Sequence, residues 1–475
     1  MKLTAFMNLF QEFQAESWDG WRDVLERITE DTREFYAIVG RGAGKSRVVA
    51  LVACAFASRE YKGRAPGENI YVGVFGPTRA QAAITWRYIR ALFKCVPELE
   101  RLIVAERAHS LELSNNVVVE VITAGIAAPR GRAYAVAIVE EAAFLPQDQS
   151  VNPDVELLRA VRPALARVPV SLLCVVSSPY ARRGVLWTAW KKHHDQPDGD
   201  VVLVQAPTLE LNPTFDRAAV ATALEEDPAG ARAEYLAEFR RDIESYVNRE
   251  AVEACVIAGR RELPRMAQTR YSAFCDPSGG RGDSFTIAIG HTIEEKDHPI
   301  AVVDCIRERK PPFSPESVTE EYAKLLKAYG ISKVTGDRYS AEWVSESFKR
   351  RGIVYVPAPK PKSEMYVNLL AILNAGRVEL LDDDRLVNQL VGLERRTSRA
   401  GKDSVDHGPG GHDDLANCIA GLAVGLALQR PMKVELTWGR DLPTSKEIVG
   451  ESINLRTGEK TPLYLSDQPS SQMRY

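Results

Sequence analysis

A glycine-rich octapeptide near the amino terminus has the residue types that bind the phosphates of a nucleotide. Its sequence is Val39-Gly40-Arg41-Gly42-Ala43-Gly44-Lys45-Ser46. Glycines let backbone N–H groups wrap the phosphates, while the lysine reaches the β- and γ-phosphates and the serine hydroxyl holds Mg²⁺. We therefore predict that residues 40–46 bind ATP. The usual pattern begins with glycine, whereas this chain has Val39, and an ordinary glycine-rich turn is the alternative.

A second apolar segment, residues 135–139, ends in the two carboxylates Glu140 and Glu141. In ATP hydrolysis one acid holds the Mg²⁺ shell and another polarises the attacking water. We assign these roles to Glu140 and Glu141, respectively. Most such enzymes carry aspartate at the first position, so the longer Glu140 is expected to reach the metal through water. A strand that ends in a solvated acidic pair is the alternative.

Phosphoryl transfer also uses an arginine near the γ-phosphate, supplied in cis or by a neighbouring subunit. The candidates are Arg130 and Arg132, which precede the acidic segment, and Arg41 inside the glycine-rich loop. A surface turn is the alternative for Arg130 and Arg132. Two further motifs stay open: residues 177–179 (Ser-Ser-Pro) either sense the γ-phosphate or cap a helix, and the tryptophans near residue 20 contact adenine or belong to the core.

Five aspartates in the second half of the chain stand where strands end, where a strand begins or where a helix begins. They are Asp276, Asp283, Asp337, Asp413 and Asp414. Converging carboxylates suit Mg²⁺ or Mn²⁺, and two such ions ~4 Å apart activate water for phosphodiester cleavage. We predict this chemistry for the set. Each aspartate alone has a plain alternative as a helix cap or a turn residue.

Other polar residues near these aspartates are secondary candidates. His407 and His412 are considered for metal or phosphate contact, and the basic segment 394–402 for contact with a DNA backbone. A solvated loop is the alternative for that segment. Asp304 and the acidic run 382–384 are interpreted as a strand end and a solvated turn.

The order of apolar and helical segments predicts how these residues are positioned. Strand-like runs at 35–39, 70–75, 117–122, 136–139, 171–176 and 201–205 alternate with helical stretches, which is typical of a parallel sheet covered on both faces. A three-strand meander begins at residue 271. It is followed by a helix at 316–330, a strand at 333–337 and a helix at 413–428. We predict domains at 1–245, with 205–245 as a lid or linker, and at 246–430, then a tail at 431–475.

Composition restricts the class of protein. The 475 residues carry a formal net charge of −3 and seven scattered cysteines. Nucleic-acid binding therefore requires local basic patches, and free thiols are expected rather than a disulfide framework or a zinc site. The amino terminus lacks a signal-peptide pattern, and no apolar run has the length of a membrane span. We expect a soluble cytoplasmic protein that does not enter a membrane.

Together these motifs resemble the large subunit of the tailed-bacteriophage terminase, the ATPase and nuclease that packages viral DNA. Residues 40–46 resemble that family's phosphate loop, which often departs from the common pattern at its first glycine. Glu140 and Glu141 match its acidic strand end, residues 177–179 its coupling motif, and Arg130 an arginine implied to act in catalysis. Asp276, Asp337 and Asp414 match its metal-binding acids, with Asp283 and Asp413 as auxiliaries. Residues 412–417 are the most specific match.

The resemblance implies a P-loop NTPase domain followed by a ribonuclease H-like nuclease domain. It implies ATP and Mg²⁺ as cofactors, with Mn²⁺ able to substitute in the nuclease site. The implied partners are double-stranded DNA, the portal protein of the procapsid, a small terminase subunit and further copies of this chain in a ring. The implied location is the host cytoplasm, with transient docking on the procapsid. A helicase–nuclease of DNA repair and a non-catalytic, nucleotide-gated DNA-binding or assembly protein are the alternatives.

Overall fold

The computed structural model describes residues 2–15, 18–63, 65–125, 129–147, 150, 152–295, 298–338, 341–397, 403–427, 448–453 and 460–464. Two compact units divide the chain, Met1–Gln429 and Arg430–Tyr475. All of the predicted sites belong to the first unit. In the second, the described residues form an antiparallel pair of strands, Ile448–Ile453 and Lys460–Tyr464. Most of the predicted tail at 431–475 lies outside the described residues.

The first half of the chain forms an eight-stranded sheet that is mainly parallel. Its order is β3-β4-β5-β2-β6-β7-β1-β8, and only the β3–β4 and β4–β5 pairs are antiparallel. The strands are β1 (Glu34–Val39), β2 (Ile70–Gly76), β3 (Ile103–Glu106), β4 (Ser110–Leu113), β5 (Val117–Thr123), β6 (Tyr134–Glu140), β7 (Leu172–Ser177) and β8 (Val201–Ala206). All six predicted strands are confirmed. The short edge strands β3 and β4 were not predicted.

Helices cover both faces of this sheet because alternate residues of each strand point to opposite sides. Phe35 and Ala37 of β1 pack in one core, whereas Tyr36 and Ile38 pack in the other. The helices are α1 (Leu3–Met7), α2 (Asp19–Glu26), α3 (Lys45–Ala57), α4 (Arg79–Cys95), α5 (Pro97–Glu100), α6 (Pro153–Leu165), α7 (Gly184–His193), α8 (Thr208–Leu211), α9 (Arg217–Glu226) and α10 (Pro228–Leu236). Short 3-10 helices add Gln11–Gln14 and Ala142–Phe144.

The second half forms a six-stranded mixed sheet in the order β14-β13-β10-β11-β12-β15. The predicted meander is confirmed, because β10–β11 and β11–β12 pair antiparallel, while β13, β14 and β15 join in parallel. Its strands are β10 (Ser272–Asp276), β11 (Phe285–Glu295), β12 (His298–Arg309), β13 (Lys333–Gly336), β14 (Val354–Pro357) and β15 (Val378–Glu379). A parallel-rich sheet followed by a mixed sheet confirms the predicted α/β class.

Helices again lie on both faces of this second sheet. They are α11 (Arg249–Glu253), α12 (Pro315–Ala328), α13 (Ala341–Arg350), α14 (Lys362–Asn374), α15 (Asp384–Val391) and α16 (Asp414–Ala427). Most side chains of α16 are buried, and together with α14 and α15 it packs on the side of β10 that carries Phe274. Helices α12 and α13 pack on the side that carries Ala273 and Cys275. The packing of α16 against β10 and β11 places its first turn beside their acidic ends.

A three-stranded antiparallel sheet joins the two halves. Its strands are β9 (Ile243–Ser245), β16 (Leu393–Thr397) and β17 (Asp403–His407), in the order β17-β16-β9. The predicted basic hairpin is β16–β17, although residues 398–402 lie outside the described part. The first proposed domain ends at residue 245, so this sheet continues across that boundary.

Two features of the whole chain agree with the composition. All seven cysteines are free thiols, and all but Cys95 are buried. Among the described residues, no helix is both long and apolar enough to cross a membrane.

Candidate nucleotide and metal sites

The glycine-rich octapeptide connects β1 to α3, which is the context that a phosphate-binding loop requires. Gly42 and Gly44 have φ values of 82° and 91°, in the left-handed region that favours glycine. Lys45 is the first residue of α3. The backbone N–H groups of the first helical turn therefore lie where anions bind most favourably.

The Lys45 ammonium faces the other polar groups of the site. Its Nζ lies 3.2 Å from Ser178 Oγ, 3.4 Å from the Gly40 carbonyl oxygen and 3.6 Å from Glu141 Oε1. The side chain is 9% exposed, so a charge in this position needs partners. Ser178 of the Ser-Ser-Pro motif thus lies in the phosphate site, which agrees with the interpretation of that motif as a sensor of the γ-phosphate.

Glu140 and Glu141 end β6 at the same edge of the sheet. Glu140 accepts a hydrogen bond of 2.7 Å from Thr85 Oγ1 and another from the Ser46 side chain. Burial raises the pKa of Glu140 to about 7, and the Glu141 charge adds to the rise, whereas the bonds from Thr85 and Ser46 oppose it. The Ser46 contact links Glu140 to the residue predicted to hold Mg²⁺.

Glu141 adopts a backbone conformation that is unusual for a residue with a side chain. Its φ and ψ are 48° and 47°, a left-handed geometry that costs about 1–3 kcal/mol outside glycine. Its carboxylate accepts a 3.3 Å hydrogen bond from Ser177 Oγ and lies partly exposed beside Lys45. This conformation directs the carboxylate to the phosphate loop.

The three candidate arginines lie in different places. Arg130 is exposed in the segment before β6 and lines a groove beside α6 together with Arg159 and Arg167; no residue of the phosphate loop lines that groove. Arg132 Nε is paired with Glu120 Oε1 at 2.8 Å. Arg41 is exposed on the loop, 3.7 Å from Glu234 Oε2. Arg130 and Arg132 thus do not join this chain's own phosphate site, and a role for Arg130 in a neighbouring subunit stays a prediction.

Residues of the predicted lid or linker hold the outer side of the loop, a set of contacts that the sequence did not reveal. Thr208 Oγ1 donates to the Arg41 carbonyl and Asn212 Nδ2 to the Gly42 carbonyl, both at 2.8 Å. Phe215 packs against Gly42, where any Cβ would collide with its ring. These contacts fix the loop between α3 and the segment that begins with α8.

Trp18 and Trp21 are core residues beneath the loop. Trp21 is 1% exposed, and its indole N–H donates to the Ala43 carbonyl oxygen at 2.5 Å. Trp18 is buried against Phe13 and against Gly44. Of the two interpretations left open by the sequence, the structure supports the core role.

The five predicted aspartates line a single cavity of about 490 Å³ in the second half. Asp276 ends β10, and Asp337 follows β13, the parallel neighbour of β10. Asp414 begins α16. Parallel strands bring their carboxyl ends to one edge, and α16 adds the third carboxylate from above that edge. Asp283 and Asp413 complete the lining.

Asn417, one turn after Asp414, connects these acids and was not predicted. Its Nδ2 donates to Asp276 Oδ2 at 2.8 Å and lies 3.5 Å from Asp337 Oδ2. The spacing of three residues from Asp414 places both side chains on one face of α16. That spacing was the available signal.

The carboxylates oppose one another's charge. Burial raises the pKa of Asp276 well above its usual range, Asn417 opposes this rise, and the charges of Asp337 and Asp414 increase it. Burial likewise raises the pKa of Asp414 to about 6, opposed by the Ser284 backbone N–H and aided by Asp283 and Asp413. A divalent cation would relieve this repulsion, and the donors are the hard oxygens that Mg²⁺ and Mn²⁺ prefer. The residues therefore fit the implied metal.

The two auxiliary aspartates have different surroundings. Asp413 Oδ2 is 2.9 Å from Lys362 Nζ and accepts a 2.8 Å hydrogen bond from Tyr366. Asp283 is exposed, with its Oδ1 3.7 Å from His412 Nδ1. Asp413 is thus already engaged by a cationic side chain, which distinguishes it from Asp276, whose donor is the neutral amide of Asn417.

A buried carboxylate links the nucleotide half to the hairpin. Glu394 of β16 is fully buried; its Oε2 accepts a 2.6 Å hydrogen bond from Tyr180, and it pairs with Arg183. Arg396 lies 3.4 Å from the same carboxylate. Tyr180 directly follows the Ser-Ser-Pro motif that contacts Lys45. The hairpin is thus attached to the edge of the parallel sheet that carries the phosphate loop.

Comparisons with known proteins find no matching family model and no matching curated protein. Among solved structures, the chain is similar to the large terminase of bacteriophage HK97, at 17% identity and a TM-score of 0.39 over 85% of this chain and 94% of that one. The large terminase of a thermophilic bacteriophage in complex with ADP matches at 12% identity and 0.39, over 88% and 100%. The large terminase nuclease of thermophilic phage G20c with bound magnesium matches at 15% and 0.31, over 37% and 94%.

These solved structures carry the same family name that the sequence motifs suggested.

Proposed function

We propose that this chain is the large subunit of a terminase, which uses ATP to move double-stranded viral DNA into a procapsid and cuts concatemeric DNA with a metal-dependent nuclease. One observation carries the proposal. A single chain holds a phosphate loop whose lysine faces an acidic pair, and separately a cavity in which five aspartates meet. ATP-driven movement and phosphodiester cleavage are the activities that these two sites suit.

In the nucleotide site, Lys45 and the N–H groups of the loop neutralise the phosphates of ATP. Lys45 would exchange its contacts with Ser178 and Glu141 for phosphate oxygens. Glu141 would then be free to orient the attacking water, while Ser46 and Glu140 hold the Mg²⁺ shell. The bound metal supplies charge neutralisation at the phosphates. Ser178 is placed to respond when the γ-phosphate leaves.

In the nuclease site, Asp276, Asp337 and Asp414 would hold the metal. The metal, when bound, lowers the pKa of water and neutralises the scissile phosphate. Asn417 keeps Asp276 and Asp337 in register. The cavity is built from strand ends and a helix start, which are rigid elements that hold ligands at fixed separation.

The proposed partners are duplex DNA, the portal protein, a small terminase subunit and further copies of this chain in a ring. The exposed position of Arg130, away from its own phosphate loop, suits action on a neighbour's nucleotide. Arg395 and Arg396 of the hairpin are paired with Asp403 and Glu394. DNA contact by this hairpin would therefore need these arginines to change partners. The proposed location is the host cytoplasm, with docking on the procapsid.

A pair of single substitutions tests the proposal. Lys45→Ala should abolish ATP hydrolysis and packaging into procapsids while plasmid cutting with Mn²⁺ is largely retained. Asp276→Asn should abolish plasmid cutting and retain ATP hydrolysis. The measurements are phosphate release and plasmid nicking on the full chain.

Three outcomes would count against the proposal. Loss of both activities in Lys45→Ala would show that the sites are not separate. Absence of both activities in the unmodified chain would favour a nucleotide-gated scaffold. Separation of a forked duplex without packaging would favour a helicase–nuclease.

A further inference from the structure

Lys362 is a cationic side chain on the wall of the acidic cavity. It is the first residue of α14, and its side chain is 30% exposed. Its Nζ lies 2.8 Å from Asp406 Oδ1 and 2.9 Å from Asp413 Oδ2. The ammonium therefore bridges the end of β17 and the residue before α16.

The potential metal ligands around Lys362 lie close enough together to hold one cation. Potential ligand atoms of Asp406, His407 and Asp413 all lie within 4.8 Å of one another. His407 Nδ1 is 2.9 Å from the Gly408 carbonyl oxygen, so it donates there and its Nε2 is the nitrogen with a lone pair. Two carboxylates and an imidazole nitrogen are ligands that Mn²⁺ accepts.

Other contacts hold Lys362 in this position. Tyr366, one turn later on α14, donates to the same Asp413 oxygen that Lys362 contacts. Ser363 Oγ accepts a 2.8 Å hydrogen bond from the Val405 N–H of β17. The first turn of α14 is thus fastened to both sides of the bridge. An ordinary surface ion pair would not have these additional hydrogen bonds.

We propose that the Lys362 ammonium is the built-in cation at this end of the cavity and occupies the place of a divalent ion. Metal is then held by Asp276, Asp337 and Asp414, and Asp413 is a counter-ion of Lys362 rather than a metal ligand. This inference rests on the proposed nuclease function, and it changes the role predicted for Asp413 from the sequence.

The ammonium also has a consequence for substrate. An ammonium has more N–H donors than Asp406 and Asp413 occupy, and Lys362 lines the same cavity as Asp276 and Asp414. The remaining donor is placed for an oxygen of the scissile phosphodiester. Lys362 thus provides positive charge that does not depend on metal concentration.

The test counts Mn²⁺ ions bound by the full, nucleotide-free chain, using calorimetry and electron paramagnetic resonance. Lys362→Met should bind one more ion than the unmodified chain, because the vacated group of Asp406, His407 and Asp413 becomes a metal site. Adding Asp413→Asn to Lys362→Met should remove that extra ion. Lys362→Arg keeps the cation and should leave the count unchanged.

Lys360→Met is the matched control. Lys360 lies two residues earlier, pairs with Glu364 at 2.6 Å and does not line the acidic cavity. It should alter neither the metal count nor cutting. Plasmid cutting by Lys362→Met should fall about 10²-fold at low Mn²⁺ and recover in part at high Mn²⁺, whereas a merely structural lysine would give no metal-dependent recovery.

Two results would overturn the inference. The first is an equal metal count in the unmodified chain and in Lys362→Met. The second is that Asp413→Asn, with Lys362 unchanged, binds one ion fewer than the unmodified chain. That result would show that Asp413 is a metal ligand. Failure of the nuclease proposal would give different results. The unmodified chain would not cut plasmid, and Asp276→Asn would bind as many Mn²⁺ ions as the unmodified chain. In that case the extra ion of Lys362→Met would still be observed.

Discussion

Glu140→Gln should stabilise the nucleotide-free protein, and by an amount that depends on pH. Burial raises the Glu140 pKa from 4.5 to about 7. An acid with a raised pKa in the folded state makes folding less favourable as the pH rises from the unfolded value to the folded one. A rise of this size corresponds to about 3 kcal/mol at ~1.36 kcal/mol per pKa unit. That penalty is absent below about pH 4.5 and complete above about pH 7.

Glutamine keeps the shape of the side chain and an oxygen for the Thr85 hydroxyl, and it carries no charge. At pH 8 the variant should therefore melt roughly 6–12 °C above the unmodified chain, taking the usual conversion for a domain of this size. At pH 5 the difference should fall to roughly a quarter of this value, because only about 1 kcal/mol of the penalty has developed at that pH. The assay is differential scanning calorimetry of both proteins at the two pH values, without nucleotide or divalent metal.

Thr85→Val serves as the matched variant, because it removes the hydroxyl that donates to Glu140 at 2.7 Å. It should lower the melting temperature more at pH 8 than at pH 5. In the Glu140→Gln background, Thr85→Val should have nearly the same effect at both pH values. An equal gain from Glu140→Gln at both pH values would show that the charge of Glu140 is not the cause. A lower melting temperature of Glu140→Gln at pH 8 would contradict the reasoning directly.

Two further predictions concern the acidic pair and the junction between the halves. Glu141→Gln should bind ATP with little change but lose hydrolysis by about 10²-fold or more, measured by fluorescent-nucleotide binding and phosphate release; retained turnover would mean that another group orients the water. Glu394→Ala leaves Tyr180 and Arg183 without their buried acceptor and should destabilise the protein by about 1–3 kcal/mol, measured as a lower melting temperature; an unchanged melting temperature would show that this junction contributes little.

Local patterns made the phosphate loop and the acidic cavity predictable. A buried apolar strand, glycines and a helix are consecutive in sequence, so the site of Lys45 needed no tertiary information. The aspartates were found because each stands beside the end or the start of a strand or at a helix start, and such positions of one sheet can meet at one edge. Asp276 and Asp337 illustrate this, since β10 and β13 are parallel neighbours.

Contacts between distant segments could not be predicted in the same way. Thr85 lies in the middle of α4, and nothing in its neighbourhood along the chain indicates Glu140. Lys362 looks like an ordinary charged residue at a helix start, and only the packing of α14 against β17 brings it to Asp413.

The three-stranded sheet at the junction determines how the chain can be divided for experiments. Strand β9 ends at residue 245, and it is the edge partner of β16. A nuclease half that started at residue 246 would leave the backbone N–H and C=O groups of β16 open, and exposed strand edges promote self-association. Starting before Ile243 keeps that edge covered. In a nuclease fragment with either starting residue, Glu394 would lose Tyr180 and Arg183 and keep only Arg396 as a partner, so a soluble nuclease half needs a substitution there as well as the right starting residue.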